Sequence, residues 1–123
     1  MEQQVRTYVE LLMQLEEDSR SFAAGETVFD AGQPGKEMYV VRSGTVELRA
    51  GEHVLETVGR AGILGEMALV DDQPRSASAV AASPCELVVI DEERFKLLVQ
   101  RVPGFALEMM RVMAARLRRA NLQ

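Results

Sequence analysis

A carboxylate and a guanidinium, Glu66 and Arg75, lie nine positions apart in a chain of 123 residues. Gly65 stands directly before the carboxylate, Ser76 stands directly after the arginine, and residues 67–70 between them are apolar. The planar fork of an arginine can bind two phosphate oxygens, whereas an ionised glutamate only accepts hydrogen bonds and suits a sugar hydroxyl. Ser76 can add a further hydrogen bond. This pattern is typical of a site for a small phosphate ester that carries a sugar.

Residues 67–70 can form one helical turn between the two charged side chains. The free N–H groups at the start of such a turn would point at an anion, and Gly65 lets a ligand approach the backbone closely. One arginine with backbone amides balances about one negative charge, whereas a triphosphate would need more cations and usually a metal. The charge count therefore favours a cyclic phosphodiester over a nucleoside triphosphate.

The whole run over residues 65–78 resembles the phosphate-binding cassette of cyclic-nucleotide-binding domains, the family of protein kinase A regulatory subunits, cyclic-nucleotide-gated channels and bacterial catabolite activator proteins. In that family the cassette consists of Gly-Glu, an apolar turn, and Arg followed by a small residue. The resemblance implies that Glu66 binds the ribose 2′-hydroxyl and that Arg75 binds the cyclic phosphate. It also implies help from three smaller groups, the backbone amides of Met67 and Ala68 and the hydroxyl of Ser76.

The resemblance also sets expectations for the ligand and the class of protein. A hydroxyl residue after the arginine can contact the phosphate or the base in the family, so Ser76 is compatible with cyclic AMP and cyclic GMP, and we favour cyclic AMP. We expect a regulatory sensor, not an enzyme, with no further cofactor and with its ligand coupled to movement of C-terminal helices. Two alternatives stay open. In the first, Glu66 and Arg75 bind no ligand and only pair with each other at a surface turn. In the second, the chain is a nucleotide-independent interaction or dimerisation module with the same fold.

The elements that must position the cassette are short strands followed by helices. Over residues 19–90, short β-prone stretches alternate with turns, which predicts a sandwich or small barrel. A jelly roll (double-stranded β-helix) fits best, and the resemblance extends over these strands. A helix is predicted over residues 2–17, within an N-terminal segment 1–18, and further helices lie in a C-terminal segment 91–123. We therefore predict a single cyclic-nucleotide-binding domain over residues 1–123, mainly β with flanking α-helices.

The last helix is predicted from residue 105 to residue 121, after an interruption at Pro103-Gly104. Four residues are predicted to share one side of it: Met109, Met110, Met113 and Leu117. That side either packs on the barrel or forms a movable lid or a homodimer face, because methionine packs adaptably. The end of the helix carries an arginine cluster that we interpret as a solvated helix end, formed by Arg116, Arg118 and Arg119.

Composition and charge limit the class of protein further. The formal net charge of −5 argues against a nucleic-acid surface, and no helix-turn-helix follows the last helix, so no direct DNA binding is predicted. A single cysteine, Cys85, excludes an intramolecular disulfide and fits a reducing cytoplasm, where we expect the protein to act. The chain shows neither a secretory signal nor an apolar run long enough for a membrane helix. With a single histidine, His53, in a predicted hairpin turn, no metal site is predicted.

Overall fold

The computed structural model describes residues 18–122, so the helix predicted over residues 2–17 lies outside the described residues. The described part of the chain forms eight short strands, a helical turn between the sixth and seventh strands, and two helices after the last strand. The strands are β1 (Ser19–Phe22), β2 (Thr27–Phe29), β3 (Glu37–Ser43), β4 (Val46–Ala50), β5 (His53–Val58), β6 (Ile63–Leu64), β7 (Ser78–Ala81) and β8 (Cys85–Asp91). The helices are α1 (Met67–Val70), α2 (Glu92–Arg101) and α3 (Pro103–Leu122).

The strands form two antiparallel sheets of four strands each. One sheet has the order β1-β8-β3-β6 and the other has the order β2-β7-β4-β5. β4 and β5 are joined as a hairpin, whereas β3 pairs with the distant β8 and β4 pairs with β7. This winding of early strands against late ones confirms the predicted fold class, a mainly β jelly roll with flanking α-helices.

β3 is buried on both faces because it separates two apolar cores. Its Tyr39 and Val41 face the core between the sheets, and its Met38 and Val40 face a second core under the helices. α3 contributes Phe105 and Met109 to that second core. β3 also pairs with β6, which directly precedes the cassette. The helices and the cassette therefore share one strand as their support.

Three boundaries differ from the predicted ones. Within the β segment, the residue pattern predicts a break over residues 18–21 and a first strand from Phe22, whereas β1 begins at Ser19 because pairing with β8 orders these polar residues. Residues 59–65 are predicted as a glycine-rich approach to the cassette without a strand, whereas β6 forms there by pairing with β3. α3 begins at Pro103 and not after it. A proline is tolerated in the first turn of a helix because the N–H that it lacks would have no helical partner there.

The apolar side chains of α3 differ in how far the barrel covers them. Met109 is buried and Met113 is partly buried in the second core, whereas Met110 and Leu117 are exposed. The four residues lie within an arc of about 100° around the helix, as predicted, but the barrel covers only the part of this arc that holds Met109 and Met113. Within residues 18–122, neither α3 nor any other helix is both long enough and apolar enough to span a membrane.

Candidate functional site

Two loops hold the cassette arginine, Arg75, in place. Its backbone N–H donates to the carbonyl of Gln33 over 2.9 Å, and its own carbonyl accepts from the N–H of Gly32 over 2.8 Å. The guanidinium donates through Nη1 to the carbonyl of Gly65 (2.9 Å) and through Nη2 to that of Glu37 (2.8 Å). Backbone and side chain are thus fixed together, which sets the direction of the guanidinium.

Arg75 is a buried cation whose guanidinium contacts no carboxylate within residues 18–122. The residue is 8% exposed, its hydrogen-bond acceptors are carbonyl oxygens, and its Cζ lies 4.2 Å from the centre of the Phe29 ring. Its Nε has no hydrogen-bond partner, a condition shared by no other buried side-chain nitrogen or oxygen among the described residues. Burial lowers the pKa of Arg75, but an arginine stays charged in a protein. Such a group is stabilised by an anion that accepts from Nε.

Two glycines make room for this guanidinium. A Cβ at Gly35 would lie 2.3 Å from Nε of Arg75, and a Cβ at Gly65 would lie 2.7 Å from Nη1. Gly65 also has a φ of +77°, which residues with a Cβ rarely adopt. The room predicted at Gly65 is therefore used by Arg75. Gly35 belongs to a turn that the sequence predicts over residues 31–35, and it makes room for the same side chain.

Glu66 pairs with an arginine of the last helix and not with Arg75. Glu66 is 2% exposed, and its Oε1 lies 2.5 Å from Nη1 of Arg116 on α3. Arg116 also donates through Nη2 to the carbonyl of Ile63 over 2.6 Å. The structure therefore does not bring Glu66 and Arg75 together as a surface pair, and the interpretation of Arg116 as part of a solvated helix end is wrong.

Helical spacing offers a signal that would have identified Arg116. It follows Phe105, Met109 and Val112 at steps of four, three and four residues, so all four share the side of α3 that packs on the barrel. A charged residue at the end of an apolar side needs a buried partner. The sequence-based interpretation instead grouped Arg116 with its two exposed neighbours in the cluster.

A second carboxylate, Glu56 of β5, holds the other edge of the Arg116 guanidinium. Nε of Arg116 lies 3.0 Å from Oε1 of Glu56, Nη2 lies 3.3 Å from Oε2, and Nη1 of Arg119 lies 3.2 Å from Oε1. Burial would raise the pKa of Glu56, but the two arginines outweigh it and hold this pKa below its ordinary value. Burial likewise opposes the charge of Arg116, yet Glu56 and Glu66 together raise its pKa. The charges of these two carboxylates thus offset those of Arg116 and Arg119, and Arg75 takes no part in these ion pairs.

A cavity of about 130 Å³ lies between these groups. The structure brings all six predicted site residues to its wall, together with Arg116: Gly65, Glu66, Met67, Ala68, Arg75 and Ser76. The helical turn predicted over residues 67–70 is present as α1. The N–H of Ala68 makes a long 3.4 Å contact with the carbonyl of Gly65, so this turn engages it only weakly. The arrangement can hold an anion at Arg75 and a hydroxyl at Glu66, within one cavity.

Other chemically reactive side chains lie outside this cavity. His53 is exposed and is the first residue of β5, one position beyond the turn in which it was expected. Cys85 is buried in the core between the sheets, and burial raises the pKa of its thiol, as expected of a structural cysteine. Between residues 18 and 122, no three side chains of the metal-ligating kinds come together.

Comparison with known proteins identifies relatives of this chain. A family model described as "Cyclic nucleotide-binding domain" matches residues 19–102. The chain is 36% identical over 109 residues to the cyclic AMP receptor protein of Thermus thermophilus, a match that covers 85% of this chain and 50% of that protein. It is 30% identical over 87 residues to the cAMP-dependent protein kinase regulatory subunit of Hypocrea atroviridis, covering 71% of this chain and 19% of that protein.

The fold agrees with these matches. The crystal structure of the Thermus thermophilus catabolite activator protein superimposes with a TM-score of 0.80 at 33% identity, over 94% of this chain and 56% of that chain. The match spans 50% of the length of the receptor protein and 19% of the length of the regulatory subunit. The family match includes the cassette and all eight strands. By its sequence and its fold, this chain belongs to the cyclic-nucleotide-binding domain family.

Proposed function

We propose that the chain is a sensor that binds a cyclic nucleotide in the cavity beside Arg75. The observation that carries the proposal is the Nε of Arg75, a buried donor without an acceptor. A phosphate oxygen supplies that acceptor, and the single charge of a cyclic phosphate matches one guanidinium that contacts no carboxylate. Met67, Ala68 and Ser76 line the same cavity, and in this proposal the Ser76 hydroxyl and the two backbone amides are the further donors.

In this proposal, Glu66 binds the ribose 2′-hydroxyl. An ionised carboxylate only accepts hydrogen bonds, so it suits a hydroxyl and disfavours the phosphate. Arg116 already engages Oε1, which makes Oε2 the acceptor for the ribose. Phosphate and ribose are thereby directed to opposite charges on one cavity wall.

Cyclic AMP is the proposed ligand ahead of cyclic GMP. The two relatives described above are both named for cyclic AMP, and both are similar to this chain over most of its length. Ser76 suits either base, so the preference rests on the relatives. One is named a receptor and the other a regulatory subunit, and we propose a regulatory role, not a catalytic one, for this chain as well.

The C-terminal helices belong to the same functional unit in this proposal. α3 lies beyond the family match, yet its Arg116 contacts Glu66 at the cavity wall. A sensor requires that the ligand bind with different affinity in two helix positions. The Arg116–Glu66 contact gives the ligand a direct route to such a difference, because the ribose and the helix share one carboxylate.

Calorimetric titration of the nucleotide-free chain with cyclic AMP, cyclic GMP and 5′-AMP tests the proposed function. Binding of a cyclic nucleotide at micromolar concentration or below, without comparable binding of 5′-AMP, is the expected result. 5′-AMP carries the same base and ribose but a second phosphate charge, which one arginine does not balance. Absence of binding by all three nucleotides would refute the sensor function.

Substituting Gly35 by alanine is expected to weaken cyclic AMP binding about fivefold while leaving the melting temperature nearly unchanged. The new methyl group would collide with the Arg75 side chain, not with backbone, so the guanidinium must shift while the fold persists. Gly59→Ala is the matched control, because a Cβ there meets no atom within 4 Å. Equal affinities of the two variants would show that the position of Arg75 is irrelevant to binding.

A second function, dimerisation through α3, has its own supporting observation. Leu107, Met110 and Leu117 are exposed and follow the spacing of a coiled-coil seam, which Ala114 completes. We propose that a second copy of the chain covers this seam. Sedimentation with and without cyclic AMP separates the functions: a dimer indifferent to every nucleotide, together with a silent titration, favours a nucleotide-independent interaction module.

A further inference from the structure

The two halves of α3 are attached to the barrel by different forces. The first half contributes Phe105 and Met109 to the second core, with Val112 and Met113 packed against it. Beyond Met113, every residue up to 119 except Arg116 is exposed. Apolar burial therefore contributes little there, and the contacts with the barrel are made by charged side chains. The second half is therefore held by charged contacts and not by apolar burial.

Glu56 receives most of these charged contacts. It accepts from two nitrogens of Arg116 and from one of Arg119, one turn further along the same side of α3. A carboxylate that binds two nitrogens of one guanidinium fixes its plane as well as its position. The remaining terminal nitrogen, Nη1 of Arg116, then points at Glu66.

We infer that Glu56 is a positioning residue of the nucleotide site: it holds the Arg116 guanidinium against Glu66 and thereby fixes the second half of α3 on the barrel. The part of the inference that concerns the ribose rests on the proposed function. Glu56 itself does not line the cavity. It acts through Arg116, which connects β5, the first residue of β6 and the cassette to one helix.

Hydrogen exchange of the full chain, followed by mass spectrometry, tests the inference in the absence of any ligand. Glu56→Gln keeps the size of the side chain and removes its charge. The amides of residues 115–119 are expected to exchange about tenfold faster in this variant, because two partly exposed ion pairs with one carboxylate are lost. The amides of the first half of α3 should change little, since apolar burial holds them.

Glu47→Gln is the matched control. Glu47 lies on the neighbouring strand β4, pairs with Arg49, and has the same 23% side-chain exposure as Glu56. It has no contact with α3 among the described residues, so its substitution should leave exchange in residues 115–119 at the wild-type rate. Equal exchange in the Glu56 and Glu47 variants would overturn the inference.

Salt supplies a measurement that needs no variant. Raising the ionic strength from about 0.05 M to about 1 M screens partly exposed ion pairs, so exchange in residues 115–119 of the wild type should accelerate. The same change should have little effect on Glu56→Gln, whose anchor is already lost. Salt-independent exchange in the wild type would contradict a charged attachment of this half of the helix.

A comparison of cyclic AMP with its 2′-deoxy analogue distinguishes a positioning role of Glu56 at the ribose site from a role in holding α3 alone. If Glu56 orients Arg116 and hence Glu66, Glu56→Gln should reduce the preference for cyclic AMP over its 2′-deoxy analogue about threefold, and Glu47→Gln should not. An unchanged preference, with faster exchange in α3, would limit Glu56 to holding the helix and overturn its role at the ribose. A wild type that binds no cyclic nucleotide would refute the proposed function, while the exchange data would still decide whether Glu56 anchors α3.

Discussion

Replacing Arg75 by lysine should lower the affinity for cyclic AMP by at least about 30-fold, or roughly 2 kcal/mol. Lysine keeps the positive charge but lacks both the Nε donor and the planar fork. Its single nitrogen also does not reproduce the two separate nitrogens that bond the carbonyls of Gly65 and Glu37 beside the Phe29 ring, so the charge is held less firmly at the cavity wall. Calorimetric titration with cyclic AMP measures the loss.

Arg42→Lys controls for the removal of a partly buried arginine. Arg42 lies on β3, bonds to Glu86 and does not line the cavity, so its substitution should leave the affinity for cyclic AMP unchanged. Thermal unfolding of both variants shows whether each fold persists. A folded R75K protein that binds cyclic AMP as tightly as the wild type would exclude Arg75 from the phosphate site.

Replacing Glu66 by glutamine should reduce the preference for cyclic AMP over its 2′-deoxy analogue about tenfold, because the ribose hydroxyl loses a charged acceptor. The variant should still fold. Arg116 keeps Glu56 as a carboxylate partner, and glutamine retains the shape of the buried side chain. The measurement is a pair of titrations, one with each nucleotide, for the wild type and the variant.

The comparison of the two ligands distinguishes a contact with the ribose from a general effect on the site. A general effect weakens both ligands alike, whereas a lost ribose contact weakens only the ligand that has the hydroxyl. If the Glu66→Gln protein lost equal affinity for both, the ribose assignment would be wrong. Glu47→Gln, which removes a carboxylate far along the sequence from the cassette, should leave the preference unchanged.

The cassette could be predicted from the sequence because its chemistry is local. Gly65, Glu66, Arg75 and Ser76 lie in one short run, and the same short run supplies the apolar turn between them. All of them line one cavity in the structure. Their types and order are therefore sufficient to predict which charged groups share one cavity, although not which other residues hold those groups in place.

The partners of Arg116 and the role of Gly35 could not be predicted in the same way, because these contacts join distant parts of the chain. Arg116 and Glu66 are fifty positions apart, and they meet because α3 folds back along the face of β3. Gly35 matters only because the Arg75 guanidinium crosses its Cα, which the sequence does not encode locally. Strands β1 and β6 were missed or misplaced for a related reason, since pairing and not residue pattern forms them.

The nuclear magnetic resonance signal of the Arg75 Nε–H group, assigned by its loss in the R75K protein, reports directly on phosphate binding at Arg75. This N–H is buried and has no acceptor in the structure, so a bound phosphate should shift its proton resonance downfield as a charged hydrogen bond forms. Cyclic AMP is expected to move this signal more than that of any other arginine Nε–H. Saturation with cyclic AMP without movement of the Arg75 signal would contradict phosphate binding at this residue.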